Sequence, residues 1–146
     1  MIATLRKYAP SFRTSCLTIC ILYVLLTGSL FLQGFQKAML PFKVPPEILR
    51  SPHYLDAMHW VYTHMLVIGL IVGVLGLYAE STRLKQNMSR LLFVAHIYYR
   101  YMDFRASDSI VGTGLYKGPA SLIPAFIALG VTLLLLHMSF TADYDA

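Results

Sequence analysis

The sequence predicts an all-α fold, a polytopic membrane protein built as an antiparallel four-helix transmembrane bundle. Three observations predict it. The 146 residues are 57% hydrophobic and only 13% charged, where a soluble domain carries about 25% charged residues. Mean hydropathy is +0.60. Apolar runs near membrane-spanning length recur along the chain, separated by polar or proline-bearing stretches. A chain this apolar cannot cover a soluble core, so the bilayer supplies part of its solvent. The length suits one transmembrane domain over residues 1–146. The net charge of +5 then reads as loop charge beside lipid headgroups. No basic run is interleaved with aromatics, so nucleic acid is set aside as a partner.

Residues 1–13 hold Arg6, Lys7 and Arg13 with no acid, and Pro10 and Ser11 offer a helix start. The run over 14–35, TSCLTICILYVLLTGSLFLQGF, predicts the first span. A cleaved signal peptide is the competing reading, but its apolar region is usually about 7–15 residues and ends in small residues. This run is longer and ends Leu32, Gln33, Gly34, Phe35, which favours an uncleaved helix. Cys16 and Cys20 lie four apart on it, a rigid setting that suits packing better than a mutual disulfide.

Residues 36–55 include Pro41, Pro45, Pro46 and Pro52, which preclude a long continuous helix. This connection should lie on the membrane surface or fold back over the bundle. The second helix is expected at about 55–79. Its first half is crowded with Asp56, His59, Trp60, Tyr62, Thr63 and His64, groups that a hydrocarbon-spanning helix does not need. Its second half places Gly69, Gly73 and Gly76 on one face, where small residues let helix backbones approach.

Residues 81–90, STRLKQNMSR, read as a short basic turn to an antiparallel neighbour. The third helix is expected at about 88–106. His96, Arg100 and Asp103 are spaced four and three on it and share a face. An Arg–Asp pair at that spacing lowers the cost of submerging either charge. Tyr98, Tyr99 and Tyr101 suit an aromatic belt. Residues 107–119 read as a Gly- and Ser-rich loop, and 120–140 as the fourth helix, with Pro124 early in it and His137 near its far end. The positive-inside rule gives almost no bias between the two ends. The purely basic first tail favours an inside N-terminus.

Four antiparallel helices bring the end of the first, the start of the second and the end of the third to one side of the membrane. That topology predicts one interior cavity faced by His59, His64, His96, Arg100 and Asp103, with Gln33 and Lys37 at its mouth. Imidazoles can ligate metal or haem iron, relay protons, or hydrogen-bond a ligand carbonyl. A metal is disfavoured, since His59 and His64 point roughly 140° apart on one helix and no H-E-x-x-H or cysteine pair occurs. A structural hydrogen-bond network between helices is the plainer expectation. A pocket for an amphipathic ligand such as a quinone headgroup follows it, and haem b held by His64 and His96 comes after. There is no G-x-S-x-G, no Cys–His nucleophile spacing and no phosphate loop, so whether the chain is an enzyme stays open.

The stretch GSLFLQGFQKAMLPF, residues 28–42, resembles the first helix of the DoxX-like membrane proteins. Gly34 and Lys37 match the glycine and lysine at the end of that helix, the prolines match the connection, and Gly69, Gly73 and Gly76 match a Gly-rich second helix. The resemblance covers about half the chain. It implies a compact four-helix bundle, and members of that family are linked to quinone-coupled sulfur oxidation or to membrane redox complexes. The His-rich start of the second helix and the His96, Arg100, Asp103 face belong to no matching pattern.

Together these readings predict an accessory or small-ligand-binding membrane subunit. A membrane oxidoreductase using quinone or haem b, and a purely structural subunit, are the alternatives. The expected setting is the bacterial inner membrane, with lipid and other membrane subunits, or further copies of the chain, as partners.

Overall fold

A computed structural model of the chain describes residues 10–40, 44–107 and 122–141, with side chains described outside 102–107 and 122–125. Its elements are α1 (Phe12–Gln33), α2 (Phe35–Ala38), α3 (Pro46–Leu49), α4 (Pro52–Tyr78), α5 (Thr82–Ser107) and α6 (Leu122–Thr141). The described residues contain no strand. The loop expected at 107–119 falls almost wholly outside the described residues, as do the first tail and the acidic end of the chain.

Ser11 starts α1, its Oγ accepting the Thr14 backbone N–H at 3.1 Å. Gly34 ends it, at φ +77°, a conformation that L side chains resist. The chain thus bends sharply out of α1 into α2. From α2 to the start of α4 the connection folds back over the bundle end. Leu30, Phe35, Met39, Val44 and Leu49 form a small apolar cluster there, covered by Tyr54, Leu55, Met58 and Tyr62 from α4.

One segment departs from the expected layout. Residues 82–90 are the first turns of α5 and not a turn, so Ala79, Glu80 and Ser81 alone join α4 to α5. The stretch TRLKQNMSR contains no glycine or proline and is rich in helix formers. Its charge marks a solvated helix end, not a break in the backbone.

The contacts fix the helix directions. A Cβ built on Gly69 would fall 2.5 Å from Tyr23 Cβ, and one on Gly73 2.7 Å from Cys20 Sγ. Gly76 meets Cys16 in the same way. The partner number falls as the glycine number rises, so α1 and α4 are antiparallel, with the glycine stripe pressed onto α1. Between α1 and α5 the sense is opposite: Lys85 Nζ lies 5.3 Å from the Phe12 ring centroid, and Tyr23 meets His96. Both partners advance together, so these helices run parallel. The main core lies among four helices, with Phe12, Cys16, Ile19, Val72, Val131, Leu135 and Met138 at its centre.

Two helices, α1 with 22 residues and α4 with 27, are long and apolar enough to cross a membrane. The 26-residue α5 has the length, but Arg83, Lys85, Arg90, Arg100, Asp103 and Arg105 dilute its apolar character. The apolar part of α6 with described side chains, Phe126–Thr141, is shorter. The outer faces are strongly apolar: Leu25 is 64% and Val74 57% exposed.

Candidate functional site

The polar side chains expected in one cavity stand in three separate settings. The first lies mid-bundle, between α1 and α5. His96 is buried, and its Nε2 faces the Tyr23 hydroxyl in a short hydrogen bond. His96 Nδ1 lies 2.8 Å from the Leu92 carbonyl oxygen. A carbonyl only accepts, so Nδ1 carries the ring proton. In the neutral ring Nε2 is then the acceptor, and Tyr23 donates to it. The two rings meet edge-on with centroids 6.0 Å apart, and Tyr99 closes on the other side of His96 at 5.9 Å. The Arg100 guanidinium is near enough to act electrostatically on both Tyr23 and His96. The side chain of Asp103 lies outside the described residues, and with it the expected Arg100–Asp103 pair.

The second setting is an open groove of about 350 Å³ where α1 ends and α4 begins. It is lined by Phe31, Gln33, Gly34, Phe35, Gln36, Lys37, Leu55 and His59. Gly34 shapes it, because its positive φ swings Phe35, Gln36 and Lys37 across the end of α1. Phe35 packs edge-on against the His59 ring, centroids 4.5 Å apart, and Phe31 lies 6.0 Å away. On its other side Phe35 stacks on Tyr62 at 5.5 Å. His59 Nδ1 lies 2.8 Å from the Leu55 carbonyl oxygen, which assigns its proton to Nδ1 and leaves Nε2 as an acceptor. Gln33, Gln36 and Lys37 supply exposed donors around it.

His64 is in neither place. It is exposed, its ring stacks on Trp60 at 5.2 Å, and its Nδ1 is 2.7 Å from the Trp60 carbonyl. Tyr23 stands opposite both Gly69 and His96. His64 therefore lies five residues, about 7.5 Å along α4, from the level of His96. Of the seven expected site residues, Gln33, Lys37 and His59 share the groove, His96 and Arg100 share the mid-bundle contact, His64 stands alone, and the Asp103 side chain lies outside the described residues.

Among the described residues no three His, Cys, Asp or Glu side chains are grouped to hold a metal ion. The sequence reading missed Tyr23, although a signal was present. Tyr23 is a hydroxyl-bearing aromatic in the middle of ICILYVLL, whereas belt tyrosines belong at the ends of a span. It also missed Phe31 and Phe35, which look like ordinary lipid-facing residues. Compared with known protein families, curated proteins and solved structures, the chain matches none.

Proposed function

We propose that the chain is a small integral membrane protein whose groove beside His59 takes the polar ring of an amphipathic ligand, with a quinone headgroup as the best-fitting class. It works as an accessory, ligand-holding subunit of a membrane complex and not as a complete enzyme. α5 and α6 complete a four-helix bundle, with the charged face of α5 turned to partners or headgroups.

The observation that carries this reading is the composition of the groove. Phe31 offers exposed flat apolar surface to a ring, and the buried Phe35 ring backs His59. Lys37, Gln33 and Gln36 donate to ring carbonyls, and His59 Nε2 accepts from a ring hydroxyl. The groove sits where the apolar lengths of α1 and α4 both end, the depth at which an amphipathic molecule leaves its ring while its tail stays in lipid.

Equilibrium dialysis of the full chain in lipid nanodiscs against decylubiquinol, kept reduced under anaerobic conditions so that its ring hydroxyls can donate to His59 Nε2, tests the reading. Saturable binding that weakens at least tenfold in His59→Ala supports it. Partition into protein-free discs to the same extent, or equal binding by His59→Ala, overturns it. An absorption spectrum of the purified chain with a Soret band would move the assignment to haem.

A further inference from the structure

We propose that the exposed face of α5 holds the headgroups of anionic phospholipids at the end of the bundle opposite the groove. On a helix, positions 83, 87, 90, 94, 97 and 101 fall on one face, and all six are exposed here. Arg83 and Arg90 begin that face, and Val94, Ile97 and Tyr101 continue it. Leu91 and Tyr98 extend its apolar part, at 62% and 57% exposure. The face thus changes from cationic to apolar within one turn after Arg90. A helix in contact with lipid needs that change at the boundary between headgroups and acyl chains.

Charge from a distant part of the sequence converges on the same place. Lys85 lies over the Phe12 ring at 5.3 Å, which brings the first turn of α5 against the first turn of α1 and so places Arg13 at the same end. Arg13, Arg83, Lys85 and Arg90 face a single acid there, Glu80, among the described residues. At the opposite end, among the residues whose side chains are described, Lys37 and Arg50 stand with Glu47 and Asp56, and Arg100 lies further along α5. A cluster of cations beside a membrane-spanning helix attracts anionic lipid. Arg83 and Arg90 are seven residues, about 10.5 Å, apart along the axis. That spread suits two neighbouring headgroups rather than one small anion. The bundle end carrying these cations then faces the anionic leaflet.

The test reconstitutes the full chain in an equimolar mixture of phosphatidylcholine and phosphatidylglycerol. The protein is extracted in mild detergent, and the retained lipid is measured by mass spectrometry. Phosphatidylglycerol should be retained over phosphatidylcholine, by about fivefold for each arginine engaged. Arg83→Gln/Arg90→Gln should bring the ratio towards parity, Arg83→Lys/Arg90→Lys should keep most of it, and Arg50→Gln at the other end should leave it unchanged. Inorganic phosphate added at constant ionic strength should not displace the lipid. Equal retention of both lipids overturns the proposal, and so does an unchanged ratio in the double glutamine variant. Loss of the ratio in the lysine variant shows that charge is not the cause and overturns it as well. Displacement by inorganic phosphate points to a site for the free anion instead.

Discussion

His96 and His59 begin from the same local chemistry and end in opposite circumstances. Each carries its proton on Nδ1, pointed at the carbonyl four residues back, at 2.8 Å. Each therefore presents Nε2 as an acceptor. For His96 the surrounding helices bury the ring, and Tyr23 fills that acceptor. For His59 the ring stands at an open groove, between Phe35 and Phe31, with no protein donor on Nε2 among the described residues. The backbone sets the tautomer in both cases. What differs is whether the fold or something outside it satisfies the remaining nitrogen. A buried acceptor that is satisfied contributes to stability, while an exposed one is available for binding.

The mid-bundle contact depends on how closely α4 approaches α1, and breaking that approach should give the largest effect. Gly69→Ala would place a methyl 2.5 Å from Tyr23 Cβ, an atom that moves only with its backbone. On propensity alone alanine should gain up to about 1 kcal/mol over glycine in a helix. Overpacking a close contact costs about 1–3 kcal/mol, so the net sign should be destabilising and Tyr23 should shift against His96. Gly28→Ala on α1, with nothing within 4 Å of its added methyl, should be neutral or stabilising. Unfolding of both variants in mild detergent measures the difference. Equal behaviour would show that the helices have room to spare.

Next in size is the contact itself. His96→Ala leaves the half-buried Tyr23 hydroxyl without its acceptor, and a fully buried group so stranded costs about 1–3 kcal/mol. Hydrogen bonds between membrane helices are worth less, about 0.6 kcal/mol on average and up to about 1.7, so a loss of roughly 1–2 kcal/mol is expected. Tyr23→Phe combined with His96→Leu removes donor and acceptor together. It should be less damaging than the sum of its parts. Strict additivity in a double-mutant cycle would mean that the two side chains do not act on each other.

How much of this was legible in the sequence follows from what each element needed. α1 and α4 are long uninterrupted apolar runs, and their existence follows from length and composition. The first turns of α5 are charged like a turn yet hold no residue that breaks a helix, so charge alone does not mark their structure. The glycine stripe was legible as a packing face, and it carries more than was drawn from it. Counting 100° per residue back from Gly69, Tyr62 lies roughly 20° off that face, His59 roughly 80° and His64 roughly 140°. Tyr62 is half-buried, His59 lines the edge groove, and His64 is exposed. The single cavity failed as a layout because topology sets which helix ends share a side, while helix rotation sets which side chains meet. The Gly34 bend that closes the groove depends on one positive φ, which sequence spacing does not reveal.

A smaller stability effect, with a large binding effect, is expected at the groove. His59→Ala removes an exposed ring, so unfolding should change by no more than about 0.5 kcal/mol. Binding of decylubiquinol should weaken at least tenfold, which is about 1.4 kcal/mol. A variant that melts early but still binds would reverse the roles assigned to His59 and His96.

The smallest effect is expected at His64, and it sharpens the comparison because His64 shares the local chemistry of the other two. Its Nδ1 bonds the carbonyl four residues back at 2.7 Å, and its ring stacks on Trp60 at 5.2 Å, both on its own helix. It touches neither the groove nor α5. A same-helix pair of this kind contributes about 0.2–0.5 kcal/mol. His64→Ala should therefore unfold within that margin of the parent and bind decylubiquinol as the parent does. Placed beside His59→Ala and His96→Ala, it separates three quantities: loss of a ring, loss of a bound ligand's partner, and loss of a helix-to-helix contact. If His64→Ala loses binding as His59→Ala does, the ligand reaches a full turn deeper along α4 than the groove extends, and the division between a stabilising and a binding histidine must be redrawn around His64.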